Sequence, residues 1–304
     1  MTTFALVNKT ILAHIYLFFA MFIYAMGFTI IKEVTPLHIS PAGFVALRVL
    51  GATPLLWITG LFIREKVERK DIFKLALLSL CGVTINQSLF VRGMSLTSPI
   101  SGAIIMITSP LLVLLLGNII LKERITWQRL TGILIGLGGA ALLILSKTIS
   151  NVKSDSPLGD FYVFINALSW GTFLVLAKPL MKKYNTVTNL KWVFLFSTII
   201  LVPIGFSDLI AINWSSFDNK IIFDILFVII GVTFIAYLLN VFGLKVLSPT
   251  VVSAYIYLQP IMAAAIALYL GKDELTWEKI VSAILIFTGV ILASQNKKIK
   301  VTGD

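Results

Sequence analysis

The chain has 304 residues, of which 58% are hydrophobic and 13% charged, with a formal net charge of +11 and a mean hydropathy of +0.97. A soluble domain carries about 25% charged residues and aggregates if its surface is this apolar, so the composition excludes an ordinary soluble protein and fits the lipid bilayer. The basic residues stand in short clusters between apolar runs, which excludes a nucleic-acid partner. The single cysteine, Cys81, excludes an intrachain disulfide and a cysteine-rich metal site.

A membrane-crossing helix needs about 20 mostly apolar residues. The sequence predicts such runs at 11–31, 42–63, 72–91, 98–121 and 126–146. After the polar stretch SKTISNVKSDSPLGD they resume at 158–180, 190–210, 221–242, 249–270 and 276–294. The expected fold is an all-α polytopic membrane protein with ten transmembrane helices and no room for a soluble domain. The first run lacks a small-residue cleavage site and reads as a retained span. With the N-terminus in the cytoplasm, 17 of the 25 Lys and Arg fall inside, seven outside, and Arg48 lies within a span. That imbalance predicts both termini on the cytoplasmic side.

The second half echoes the first. LKERITW at 121–127 returns as GKDELTW at 271–277, so that Lys122, Thr126 and Trp127 recur as Lys272, Thr276 and Trp277. Ser98-Pro99 matches Ser248-Pro249, Gly93 matches Gly243, Pro110 matches Pro260 and Gly139 matches Gly289, all 150 residues apart. Earlier in each half, Tyr24 and Lys32 correspond to Trp170 and Lys178. The reading is a duplication, with one repeat over 1–148 and a second over 149–304. Each contains five spans, an odd number, so the second enters the membrane inverted. Inverted repeats are an architecture of secondary transporters, because two similar halves of opposite orientation can exchange conformations and offer one site to each side in turn.

Candidate site residues follow along the chain. His14 would titrate near neutrality, which leaves proton coupling open beside the plainer reading of an interfacial residue. Tyr24 and its counterpart Trp170 would grip a flat or apolar part of a solute, the alternative being packing. Arg48, a charge within a span, costs about 2.5–3.5 kcal/mol on insertion scales. It is expected to face a cavity or a partner, with Glu33 as a candidate partner, or else to snorkel outward. Asn86 and Gln87 are adjacent, so one should face the cavity while the other bonds a neighbouring helix.

Thr108 precedes Pro110 in span four, as Tyr255 and Gln259 precede Pro260 in span nine, with the last pair one helical turn apart on one face. Two prolines in corresponding spans mark expected hinges and a binding region. Asn166 and Trp170 are likewise one turn apart. Gly132, Gly136, Gly138 and Gly139 read as a close-packing face.

All fourteen Asp and Glu fall in loops or near span ends. A proton-driven pump for organic cations would need a buried acid, so neutral, zwitterionic or anionic solutes are expected. No nucleotide-binding loop, metal-ligand cluster or nucleophile with a base is present. The chain is therefore expected to be no enzyme, to need no cofactor or metal, and to act on small solutes in the bilayer.

The ten spans, the five-span repeats, the LTSP start of span four and the text at 121–143 resemble the EamA family of the drug/metabolite transporter superfamily. That resemblance implies a basket of ten helices in which spans one to four and six to nine enclose a central cavity and spans five and ten stand outside it. It implies a transporter, and with the residues above the expected function is a secondary-active or facilitative carrier of the inner cell membrane that moves small, amino-acid-like metabolites outward by alternating access. A lipid-linked sugar flippase and a non-transport scaffold or sensor are the competing readings.

Overall fold

The computed structural model describes residues 2–63, 65–121, 126–149 and 156–294. Among these, eight helices are long and apolar enough to cross a membrane, and no strand occurs. We number the main helices in chain order. They are α1 (Thr2–Val34), α2 (Pro41–Leu61), α3 (Arg69–Leu96), α4 (Pro99–Met106 continued by Ser109–Leu121) and α5 (Trp127–Ile149). They continue with α6 (Pro157–Lys183), α7 (Thr186–Ile204), α8 (Asn219–Val246), α9 (Pro249–Ala254, then Leu258–Tyr269) and α10 (Trp277–Ser294). The apolar core of α5, Leu130–Leu143, is shorter than a full crossing.

Ser-Pro pairs start four of these helices, α2, α4, α6 and α9, and in all but α6 the serine side chain caps the first turn. Proline at the first helical position has no N–H to leave unpaired and holds a helical φ, and the preceding serine caps the next free donors. Ser40 Oγ accepts from the Gly43 amide at 3.1 Å, Ser98 Oγ from that of Ser101 at 3.4 Å and Ser248 Oγ from that of Val251 at 3.3 Å.

Four of the helices are not regular. α3 contains a π-helical segment at Leu80–Thr84, and α8 one at Phe227–Ile235. α4 breaks at Ile107-Thr108, and α9 tightens to a 3-10 turn at Tyr255–Tyr257. Pro110 and Pro260 follow these breaks, each removing one main-chain donor from the helix.

α5 and α10 pack against each other by way of small residues. A Cβ on Gly289 would stand 2.4 Å from the Gly136 amide nitrogen and 2.5 Å from the Gly132 carbonyl. Gly138 faces open space and takes no part.

Ion pairs tie the helix ends. At one end Glu33 meets Lys220 at 2.7 Å and Lys272 at 2.5 Å, and Lys279 meets Asp273 at 2.7 Å. Asp273 also accepts from the amide of Ile100, at the start of α4. At the other end Asp71 takes hydrogen bonds from Lys183 at 2.6 Å and the Tyr184 phenol at 2.8 Å. Lys183 and Lys70 hold the neighbouring Glu68 carboxyl below the usual glutamate range. Glu33 is therefore not the partner of Arg48: two lysines occupy it. Lys122, Arg124 and the C-terminal lysines, on which the orientation expectation partly rests, lie outside the described residues, as does the stretch 150–155 between the halves.

Candidate functional site

Seven helices, α1, α2, α3, α4, α6, α8 and α9, surround a cavity with about 590 Å³ of empty space, counting the part open to solvent. Helical spacing explains which side chains meet there. Tyr24 and Phe28 of α1 lie one turn apart, as do Gln87 and Phe90 of α3, Asn166 and Trp170 of α6, and Tyr237 and Asn240 of α8. Arg48 enters from α2, Met106 from α4, and Ile256 and Gln259 from α9. α7 contributes none of the lining residues, against the expectation that span seven does. It stands behind the wall, its Phe194 ring 5.3 Å from that of Tyr237.

Arg48 is 2% exposed. Its Nε donates to Thr233 Oγ1 at 2.9 Å, and Nη1 has no partner. Thr233 sits in the π segment of α8, where its hydroxyl donates in turn to the Val228 carbonyl at 2.7 Å. The irregular winding thus gives the hydroxyl a carbonyl within its own helix and leaves its lone pair for the guanidinium. π segments occur often at functional sites.

Asn86 and Asn166 clasp α3 to α6. Asn166 Nδ2 donates to the Asn86 carbonyl at 2.8 Å, and Asn86 Nδ2 returns a longer bond of 3.4 Å to the Asn166 carbonyl. The Tyr237 hydroxyl lies 3.1 Å from Asn86 Oδ1 and 3.2 Å from the Gly82 carbonyl, which the π segment of α3 presents. Tyr237 is also the centre of the aromatic wall, with Trp170 at 5.6 Å and Tyr24 at 6.3 Å between ring centroids, both edge-on. Gln87 lines the cavity beside it.

Among the described residues, six further buried polar atoms of the lining have no hydrogen-bond partner: Tyr24 Oη, Gln87 Nε2 and Oε1, Asn166 Oδ1, Asn240 Oδ1 and Gln259 Oε1. Buried polar groups are nearly always satisfied, so this concentration marks a place where a solute or water completes the bonding. Among the described residues, none of the lining is acidic.

Of the residues singled out from sequence, Tyr24, Arg48, Asn86, Gln87, Asn166, Trp170 and Gln259 converge on this cavity. Asn86 and Gln87 both line it, whereas one was expected to turn away. Asn86 manages both tasks because its backbone and side chain bond α6 and α8 while it stays at the wall.

Thr108 and Tyr255 are elsewhere. Thr108 is fully buried at the break in α4, its hydroxyl donating to the Ile105 carbonyl at 2.8 Å. Tyr255 begins the 3-10 turn of α9, where three residues make a turn, so it no longer shares a face with Gln259. Its hydroxyl lies 2.6 Å from His14 Nδ1, which ties α9 to α1. Sequence reasoning missed Tyr237 and Asn240. The repeat offset was the available signal, since it sets Tyr237 opposite Gln87 and Asn240 opposite Phe90.

Comparison with known proteins gives relatives of similar length. An uncharacterized transporter of Archaeoglobus fulgidus is 26% identical over 92% of this chain and 96% of its own. The uncharacterized transporter YyaM of Bacillus subtilis is 25% identical over 90% and 93%. A WAT1-related protein of Arabidopsis thaliana is 23% identical over 90% and 83%. A crystal structure of a protein 15% identical aligns over 93% of this chain and 96% of that one with a TM-score of 0.65, which shows the shared fold. The EamA-like transporter model matches twice, over residues 11–145 and 157–295, and the chain belongs to this family of membrane transporters, within the drug/metabolite transporter superfamily.

Proposed function

We propose that the protein is a secondary-active or facilitative carrier that moves small, amino-acid-like or anionic metabolites outward across the cell membrane by alternating access around the central cavity. In this reading the chain crosses the membrane ten times, with both termini in the cytoplasm, as two inverted five-helix repeats over 1–148 and 149–304. Tyr24, Arg48, Asn86, Gln87, Asn166, Trp170, Tyr237, Asn240 and Gln259 bind the solute, and the breaks beside Pro110 and Pro260 act as hinges.

The observation that carries the proposal is a buried chamber rich in amides and aromatics, free of lining carboxylates, and built from helices of both halves. A polar hollow in a membrane protein costs packing and leaves donors and acceptors unpaired, a cost that a scaffold has no use for. Correspondence between the halves supports the repeat. The family model matches each half separately, and the π segments, as well as the α4 and α9 breaks, fall about 150 residues apart. Near the C-terminal end of α1, Lys32 donates to the Ser95 carbonyl at the end of α3. Near that of α6, Lys178 donates to the Leu244 and Leu247 carbonyls at the end of α8. A C-terminal helix end attracts a cation, so each half uses a lysine of its first helix to hold the end of its third.

The test is counterflow in liposomes loaded with a cellular metabolite extract, guided by a metabolite screen of cells lacking or overproducing the protein. The expected result is exchange of amino-acid-like or anionic solutes. Strict selectivity for lipophilic cations refutes the proposal.

A further inference from the structure

The geometry points to a monoanion site: the cavity takes small carboxylates that bear a single negative charge and a flat apolar group, in preference to zwitterions, cations and dianions. This rests on the carrier reading above and narrows its solute class from amino-acid-like and anionic solutes to the monoanions, leaving amino-acid zwitterions out.

Among the described residues, Arg48 is the only charged one of the lining. It is buried, its Nε is engaged by a neutral hydroxyl, and Nη1 points at no acceptor. Glu33, the acid that sequence reasoning offered as its partner, is held by Lys220 and Lys272. The cavity thus presents one positive charge with no carboxylate beside it, in a low-dielectric setting. A buried charge is expensive until it is paired, and a carboxylate is the group whose two oxygens match a guanidinium edge.

One fixed cation neutralises one negative charge, which disfavours phosphates and dicarboxylates. An ammonium group on the same solute would share the chamber with Arg48 and would find no acid there, only amide and phenol oxygens, which disfavours zwitterions and cations. The remaining wall selects for shape. Tyr24, Trp170 and Tyr237 meet edge to face, and Phe28 and Phe90 do so 5.3 Å apart, surfaces on which a flat apolar group packs well. The unpartnered oxygens of Asn166, Asn240 and Gln259 suit a hydroxyl or amide hydrogen on the solute.

The test uses four probes that share a phenyl ring and differ in charge: 3-phenylpropionate, phenylalanine, 2-phenylethylamine and phenylsuccinate. Affinities for the purified full-length protein in detergent are measured by calorimetry at neutral pH. The expected order places 3-phenylpropionate about tenfold or more tighter than the other three, the scale of one charge-assisted contact. R48Q, checked for folding by gel filtration, should abolish that preference, and R48K should keep part of it.

Equal or tighter binding of phenylalanine or phenylethylamine overturns the assignment, as does binding of none of the four, or a preference that survives in R48Q. If R48Q does not fold, the charge series on the wild-type protein decides alone. Counterflow with metabolite extract reads transport whatever the solute charge, so a failure here with exchange intact removes the monoanion assignment and leaves the carrier standing.

Discussion

Replacing Arg48 with methionine raises the unfolding temperature measured without added solute and lowers solute exchange about tenfold or more, the loss expected when a buried charge contact to solute disappears. The two effects have one cause. Among protein atoms the buried guanidinium makes a single hydrogen bond, from Nε to Thr233 Oγ1, and Nη1 is unpaired. Exchanging a buried charge of this kind for an apolar side chain of similar length is stabilising by about 1–3 kcal/mol. Thr233 is not orphaned by the change, because its hydroxyl still donates to the Val228 carbonyl. Methionine follows the path of the arginine stem and fills uneven space. Thermal unfolding in detergent, with exchange measured in liposomes, checks both. A fall in unfolding temperature would mean that Arg48 serves to fasten α2 to α8 instead of waiting for a solute.

A valine at Gly289 has the largest expected effect on stability. The contact between α5 and α10 is backbone against backbone: a Cβ at 289 would lie 2.4 Å from the Gly136 nitrogen and 2.6 Å from its Cα. No side chain is available to swing aside, so the helices must separate, at about 1–3 kcal/mol or more for overpacking. Gly138→Ala is the control. Nothing lies within 4 Å of a Cβ there, and alanine favours the helix by about 1 kcal/mol, so its unfolding temperature should hold or rise. Neither α5 nor α10 supplies a cavity-lining residue. The fraction of Gly289→Val protein that stays folded should therefore exchange solute at the wild-type rate. An unchanged unfolding temperature would contradict the close packing.

These outcomes depend on features that differ in how visibly they are written in the chain. The helices are legible because an apolar run of about 20 residues has few other uses. Ser98-Pro99 and Ser248-Pro249 mark their helix starts as read. Arg48, Tyr24, Asn166 and Trp170 are legible because a polar or amphipathic group in hydrocarbon needs a reason, and regular helical spacing tells which of them share a face.

Where the helices stop being regular, that reasoning fails. The 3-10 turn at Tyr255–Tyr257 rotates Tyr255 off the face of Gln259 and towards His14. The π segments in α3 and α8 present the Gly82 carbonyl to Tyr237 and the Thr233 hydroxyl to Arg48, and no residue type announces them. Glu33 is adrift for a different reason. Its partners Lys220 and Lys272 are 187 and 239 residues away in sequence, and only the fold brings them together.

The proposed transport cycle requires two halves of opposite orientation around the cavity. Sided labelling of single cysteines tests it most directly, in a background where Cys81 is replaced by alanine. Thr126→Cys reports the loop before α5 and Glu274→Cys the matching loop before α10, both exposed positions. With a membrane-impermeant maleimide, right-side-out vesicles should label only Glu274→Cys, and inside-out vesicles only Thr126→Cys. Labelling of both from the same side would contradict the inverted arrangement and the alternating access built on it.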